Sequence, residues 1–500
     1  MKKVKTTPKE LIWCLLVFGF FLVWFTRIHP LTVFDVDDWA YIHYPRRAVP
    51  LPSHWNPGRI LPEIMMPFCG SLAAHLVYPL TGDYLRSMTL TCGFVVSLFL
   101  TLYIYSFICM MRRLFHLSAA GTILSSALFL IAHFVFFRTG VVGNTYLFYC
   151  YDLTCYYYYL IPGVLNASLV MWMMGNPWFS KCFSCCSPGK MGLFLFLLFL
   201  AIFSNLPDSG ILACYAGAVV LLNGLKFLKQ KTDWRVFVRE NFIFLGILCV
   251  WLLCALLELS GGRAASLTPS DRNLAANLAF NARRLAGLVF RCRWVWPAVS
   301  ALIAGAALIL LLRSRGAAPE DRALCTLLQL GLVAFGAMGV YTLLLCSAVM
   351  SGSVNRTEYL FPLCFYALLI VMLCFGYLLQ KLPKTLYVVP IALCVLVCEC
   401  NTIGVTYLEP NFSNLSPIIC NEIMQDLIDE ILLADEQGLD EITLEIPVTS
   451  NENGLPFITR FLGPRMATCL LEHGLLRREI TVNTVQSMES NWRYSLPILE

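Results

Sequence analysis

Charge is what this 500-residue sequence has least of: Asp, Glu, Lys and Arg together make up 13%, against roughly 25% in soluble domains. With 58% of residues hydrophobic, that scarcity excludes an ordinary soluble protein and indicates a polytopic α-helical membrane protein. A GxxxxGK[ST] loop is lacking, and so is a GxGxxG turn opening a helix, so neither a P-loop motor nor a dinucleotide-binding unit is supported. Low-complexity tracts and an evident repeat period are also lacking, and nothing suggests a nucleic-acid partner. The 22 cysteines lie mostly inside apolar runs, where Cys behaves as a small hydrophobe, and they form no disulfide framework. Cys182, Cys185 and Cys186 cluster without the second CxxC that a zinc site would need.

What charge there is, is segregated. Residues 405–500 hold 15 of the 31 acidic residues and 5 of the 36 basic ones, a net of −10, so residues 1–404 carry +15. This divides the chain into a multi-span membrane domain (1–404) and a small soluble α/β unit (405–500). In the latter, Ile419, Ile423, Leu427, Ile428, Ile431 and Leu432 recur at helical spacing over 418–434, Gly438 would end that helix, and Ile442, Leu444 and Ile446 alternate as in a strand. A bilayer core about 30 Å thick needs roughly 20 apolar residues per helix. The runs 11–27, 88–111, 118–137, 153–174, 191–206, 210–227, 241–259, 297–312, 323–347, 359–380 and 384–404 answer that need with soft ends, 191–206 and 297–312 being short, which makes about eleven spans. Residues 63–80, with Glu63, His75 and nearby prolines, fit an interfacial or re-entrant helix better.

Lysine supports this count. With a cytoplasmic N-terminus, every lysine falls on the cytoplasmic side, as the positive-inside rule requires, and the C-terminal unit is extracytoplasmic. Arginines do occupy the outer side, among them Arg59, Arg138, Arg263, Arg283, Arg284 and Arg356. Arginine retained where lysine is excluded suggests bidentate recognition of an anion such as phosphate, with headgroup anchoring and local ion pairing as the plainer reading. The loop 260–296 fits an amphipathic helix lying in the interface. The N-terminal segment reads as an uncleaved signal anchor, and the whole as a multi-pass protein of a bacterial plasma membrane.

Directly after the first span stands Asp35-Val36-Asp37-Asp38-Trp39-Ala40-Tyr41, followed by Trp55-Asn56-Pro57-Gly58-Arg59. Carboxylates at a membrane surface are costly unless solvated or paired, which makes the stretch a candidate site. A solvated Asp turn is the plain alternative. On the same predicted side lie Tyr146, the aromatic run from Tyr151 to Tyr159 with Asp152 alone in it, Asn205 with Asp208, and Arg356 with Glu358. Asp208 reads equally well as a turn residue, and Glu358 as a partner of Arg356.

These features together resemble the C-type glycosyltransferase superfamily (GT-C), in particular the bacterial Gtr-type glucosyltransferase-like membrane proteins. The resemblance rests on Asp37-Asp38 with the following aromatic, on Asn56-Pro57-Gly58-Arg59, on Tyr159-Leu160-Ile161-Pro162-Gly163-Val164-Leu165-Asn166, and on the loop around Asn205 and Asp208. Many relatives read Asn-Gly-Arg without Pro57, and His-Glu where this chain has Leu206-Pro207-Asp208. The resemblance implies a GT-C-like fold, a polyprenyl-phosphate sugar donor, a surface glycan or lipid-linked acceptor, and transfer on the extracytoplasmic face. A carboxylate would take the acceptor proton and cations would stabilise the departing phosphate. Asp38 or Asp37 is the expected base. Arg59, Arg356, Arg138 and Arg263 are the expected phosphate ligands, and Trp39 and Tyr146 the expected stacking platforms. Asp37 and Asp38 could also hold a divalent cation, although no further ligands demand one. A transporter or flippase of lipid-linked glycans would want charge at mid-membrane depth and inverted repeats, which this sequence does not offer. A non-catalytic envelope-assembly protein on the same scaffold is the remaining alternative.

Overall fold

The computed structural model describes residues 6–44, 57–135, 147–150, 152–176, 187–230, 233–260, 273–291, 295–314, 318–349, 354, 356–383, 387, 392, 415–448, 457 and 461–496. The predicted span 384–404 therefore lies almost wholly outside the described residues, as do Arg138, Tyr146 and Arg263.

The chain is mostly helical. Helix α1 (Pro8–Val23) starts at a capping box: the Thr7 hydroxyl accepts from the Glu10 N–H, and Glu10 Oε2 accepts from the Thr7 N–H at 2.7 Å. This arrangement satisfies backbone donors that a helix start otherwise leaves orphaned. A π-helical turn (Trp24–Ile28) and the short α2 (Val36–Tyr41) follow. Next come α3 (Ile60–Leu72, prolonged by the π-helical turn Ala73–Val77 and the α-helical turn Tyr78–Thr81), α4 (Tyr84–Phe115), α5 (Ala119–Val135), α6 (Ile161–Met174) and α7 (Pro188–Ile202). Then come α8 (Leu206–Gln230), α9 (Trp234–Ser260), α10 (Leu274–Arg291), α11 (Val295–Arg313), α12 (Pro319–Val349) and α13 (Thr357–Lys381).

Among the described residues, eight helical segments are long and apolar enough to cross a membrane: Pro8–Ile28, Ile60–Thr81, Tyr84–Phe115, Leu206–Gln230, Trp234–Leu259, Trp296–Arg313, Pro319–Ala348 and Glu358–Lys381. All but Ile60–Thr81 coincide with predicted spans. The predicted spans 118–137 and 191–206 are apolar helices of lesser length, Ala119–Phe134 and Pro188–Ile202. The predicted span 153–174 is a composite of Leu153–Cys155, the π-helical turn Tyr156–Leu160, and α6. Its first turns carry four consecutive tyrosines, which lower its apolar character. The difference from eleven arises there and in the segment outside the described residues.

Ile60–Thr81 is apolar and unbroken, yet both of its ends serve the same layer. At its start, Arg59 and Arg465 line one cavity. Farther on, the His75 ring packs 6.3 Å from His473, and Tyr84, just after its end, stacks on Trp39 of α2. A crossing helix would deliver Tyr84 to the opposite face, so the geometry is that of a helix re-entering or lying along one face. The opposite end of the bundle is marked by ion pairs between Arg112 at the end of α4 and Glu10, and between Lys381 and both Glu320 (3.6 Å) and Asp321 (3.7 Å). Lys226 and Lys229 lie at that end too, because α8 starts beside the cavity wall at Asn205 and its 25 residues at about 1.5 Å each traverse the bundle.

The C-terminal part is a small helical unit with a two-stranded parallel sheet: α14 (Pro417–Gln437), β1 (Glu441–Pro447), α15 (Leu462–Glu472), β2 (Thr481–Ser487) and α16 (Met488–Arg493). Glu441 pairs with Thr481 and Pro447 with Ser487. Gly438 ends α14 at φ 81, a left-handed conformation that glycine adopts without penalty. The unit packs on the cavity end of the bundle. Cys420 Sγ lies 3.6 Å from the Phe34 carbonyl, and His473 Nδ1 lies 2.7 Å from the Tyr84 hydroxyl.

This geometry predicts the sidedness of chemical labelling. With a membrane-impermeant maleimide, Arg86→Cys should be modified from the same side as Thr481→Cys, and Ala120→Cys from the other side. Labelling of Arg86→Cys from the side opposite to Thr481→Cys would mean that Ile60–Thr81 crosses the membrane.

Candidate functional site

Asp35 is the N-cap of α2. Its Oδ1 accepts from the Asp37 N–H at 2.8 Å and the Asp38 N–H at 3.0 Å, and Asp38 closes the reciprocal capping box. Asp38 is completely buried. Its Oδ2 accepts from Phe34 N–H (2.9 Å) and Leu153 N–H (3.1 Å), with a longer contact to Asp35 N–H (3.5 Å). Its Oδ1 accepts from the Thr154 N–H and hydroxyl, both at 2.7 Å. The carboxylate thus ties the chain after α1 to the turn before α6. Charge-assisted bonds of this kind are about twice as strong as neutral ones.

Around this knot lies an open cavity of about 330 Å³, lined by Asp35, Asp37, Asp152, Arg59, Arg356 and Arg465, with Tyr41, Tyr158, Tyr159 and Phe461 among the other walls. It sits where α2, the start of α3, the turn before α6, the start of α13 and the start of α15 converge. Each arginine has a carboxylate partner. Arg59 Nε is 3.4 Å from Glu258, Arg356 binds Glu358 through Nε (3.2 Å) and Nη2 (2.6 Å), and Arg465 Nη1 is 3.0 Å from Asp37. The Arg59 guanidinium also lies 6.0 Å from the Tyr158 ring centre, within cation–π range.

Sequence-derived candidates separate accordingly. Asp37, Arg59 and Arg356 line the cavity, and Glu358 holds Arg356 from a buried position. Asp38 does not line it: every one of its short contacts is already a protein donor, so as it stands it is an anchor. Trp39 is fully buried and stacks on Tyr84 with ring centres 6.3 Å apart, so it offers no face to a ligand. Asn205 and Asp208 cap α8 reciprocally, with Asp208 N–H donating to Asn205 Oδ1 (2.7 Å) and Asn205 Nδ2 donating to Asp208 Oδ2 (2.6 Å). Asn205 Nδ2 also reaches the Tyr158 carbonyl, so this pair supports the cavity wall from behind. Asp35, Asp152 and Arg465 are cavity residues that the sequence did not single out for a role. The Asp-x-x-Asp spacing signals a capping box, but nothing local connects either residue to Asp152 or Arg465.

Oxygens of Asp35, Asp38 and Asp152 all lie within 4.8 Å of one another, and Asp152 forms a similar group with Cys150 and Cys155. Three buried carboxylates this close repel one another, which favours a shared proton or a bound cation. A divalent cation would therefore take Asp35, Asp38 and Asp152 rather than the Asp37–Asp38 pair, because Asp37 turns outward to Arg465. Burial, then repulsion from Asp38 and Asp37, pushes the Asp35 carboxyl well above the usual carboxylate range. Burial also pushes Asp38 up, to about 6, against the pull of its Thr154, Phe34 and Leu153 donors. No family model, curated protein or solved structure matches the chain.

Two outcomes follow from the acid cluster. Asp38→Asn sets an amide N–H₂ against backbone donors and should destabilise the protein by about 1–3 kcal/mol, read as a lower unfolding temperature. Acids whose native pKa lies above the unfolded value stabilise the fold fully below the unfolded pKa and lose that contribution as pH rises through the native one. Stability should therefore fall from pH 4 to pH 7, and Asp35→Asn, which keeps a good N-cap but cannot titrate, should flatten that fall.

Proposed function

We propose that the protein is a membrane glycosyltransferase that takes a sugar from a polyprenyl-phosphate donor and passes it to a surface glycan or lipid-linked acceptor. The observation that carries this reading is the cavity at one end of the helical bundle, where carboxylates (Asp35, Asp37, Asp152) face arginines (Arg59, Arg356, Arg465). Sugar transfer needs both kinds of group. A carboxylate takes the proton of the acceptor hydroxyl as its oxygen attacks the anomeric carbon. Guanidinium groups stabilise the lipid phosphate as the bond from the anomeric carbon to the phosphate oxygen breaks.

Within that reading, the acid–base centre is the Asp35–Asp38–Asp152 cluster. The groups facing the acceptor are Asp35 and Asp152, and Asp38 acts through them as a positioning residue. Tyr158 and Tyr159 supply aromatic faces for the sugar. Arg59 and Arg356, held by Glu258 and Glu358, meet the donor phosphate. The positive-inside rule puts the lysine-bearing end of the bundle in the cytoplasm and the cavity on the extracytoplasmic face. A flippase or transporter is less well supported, because the ion pairs of the described bundle gather at helix ends and not at mid-depth.

The test is sugar transfer from polyprenyl-phosphate donors in proteoliposomes. Loss of a general base costs roughly 10²–10⁴ in rate. Asp152→Asn or Asp35→Asn should lose that much while remaining folded, and Arg59→Ala should lose activity as well. If neither Asn variant is slower, the acid–base assignment fails. If wild type transfers no sugar but moves lipid-linked glycan across the bilayer, the protein is a transporter.

A further inference from the structure

We infer that the C-terminal unit closes the binding site with Arg465, a ligand for a phosphate-bearing lipid headgroup whose place is held by Asp37 until the ligand arrives. The inference rests on the proposed use of the cavity, and extends it from the membrane domain to the unit packed on top.

The arginine pairs around the cavity differ in what it takes to open them. The side chain of Glu258 is 12% exposed and that of Glu358 3% exposed. Drawing an arginine away from either would take the charge partner from a buried carboxylate, which is destabilising. The side chain of Asp37, by contrast, is 53% exposed. An ion pair with a solvated acid is worth only about 0–1 kcal/mol, and Asp37 loses little by turning to water. Arg465 is therefore the cavity guanidinium that an incoming anion can most easily claim.

Arg465 also keeps its place when Asp37 leaves. Its Nη1 donates to the Val36 carbonyl at 3.0 Å, and its guanidinium lies 5.1 Å from the Phe461 ring centre. The helix that carries it is anchored by buried Met466, Cys469 and Leu470, and by the His473–Tyr84 contact at 2.7 Å. Guanidinium donors not used by Val36 and Asp37 remain for a phosphate, which suits their fork geometry. An anion bridging Arg465 and the membrane-domain arginines would span the two parts of the chain.

The experiment measures binding by the full-length protein in nanodiscs, with farnesyl phosphate, inorganic phosphate and farnesol as probes. Arg465→Gln should weaken farnesyl phosphate binding by about tenfold or more, the scale of a lost charge-assisted hydrogen bond, with Arg465→Lys in between. Asp37→Asn should strengthen binding by up to a few-fold, because it removes the competing anion. Farnesol should not bind competitively, and unfolding temperatures identify any variant that is merely misfolded. Unchanged binding in Arg465→Gln alongside weakened binding in Arg356→Gln would overturn the inference while leaving the donor reading intact. Weaker binding in Asp37→Asn would overturn the placeholder role. If inorganic phosphate binds as tightly as farnesyl phosphate and with the same dependence on Arg465, the anion site stands and the lipid-donor reading falls. If wild type binds no phosphate probe, both fall.

Discussion

Burying the Asp38 carboxylate is the constraint from which the rest of the site follows. A carboxylate without water needs donors, and this one takes them from Phe34, Leu153 and Thr154. Supplying them brings two distant segments of the chain together and places Asp152 beside Asp35. Those two acids then share the confined space with Asp38, and their mutual repulsion makes them receptive to protons or cations. The chemistry available to the cavity is thus a by-product of the bond network that builds its floor.

A second constraint is directional. The helices reach the cavity by their ends: α1 through the loop after it, α8 through the Asn205–Asp208 cap, α9 through Glu258 and α13 through Arg356 and Glu358. Charge is inexpensive at helix ends near a membrane surface and costly at mid-depth. The same arrangement explains how a chain with so few charged residues can still gather several of both signs in one place. The α3 segment fits this pattern, since it runs along the cavity end and its own apolar surface does not oblige it to cross.

The C-terminal unit shows how weak and strong pairs divide the work. Buried contacts such as His473 with Tyr84 set its position, while the exposed Asp37–Arg465 pair adds little to stability. A pair that contributes little to the fold can be exchanged for a ligand without loosening the fold. The buried Arg356–Glu358 and Arg59–Glu258 pairs lack that freedom, and they act as fixed walls.

The sequence by itself determined the membrane class, most of the long apolar helices, and the helix–strand order of residues 417–446, because length, hydropathy and residue period are local properties. It also marked Asp37, Arg59 and Arg356, each in a short polar stretch beside an apolar run. Only the tertiary structure decided that Asp38 and Trp39 turn inward while Asp37 turns outward, since three adjacent residues of a helical turn point in different directions and burial selects among them. Only the tertiary structure could join Asp35 to Asp152 and bring Arg465 to the cavity. Those contacts connect segments far apart in the chain, and no local pattern of residues encodes which distant donor a buried carboxylate will find.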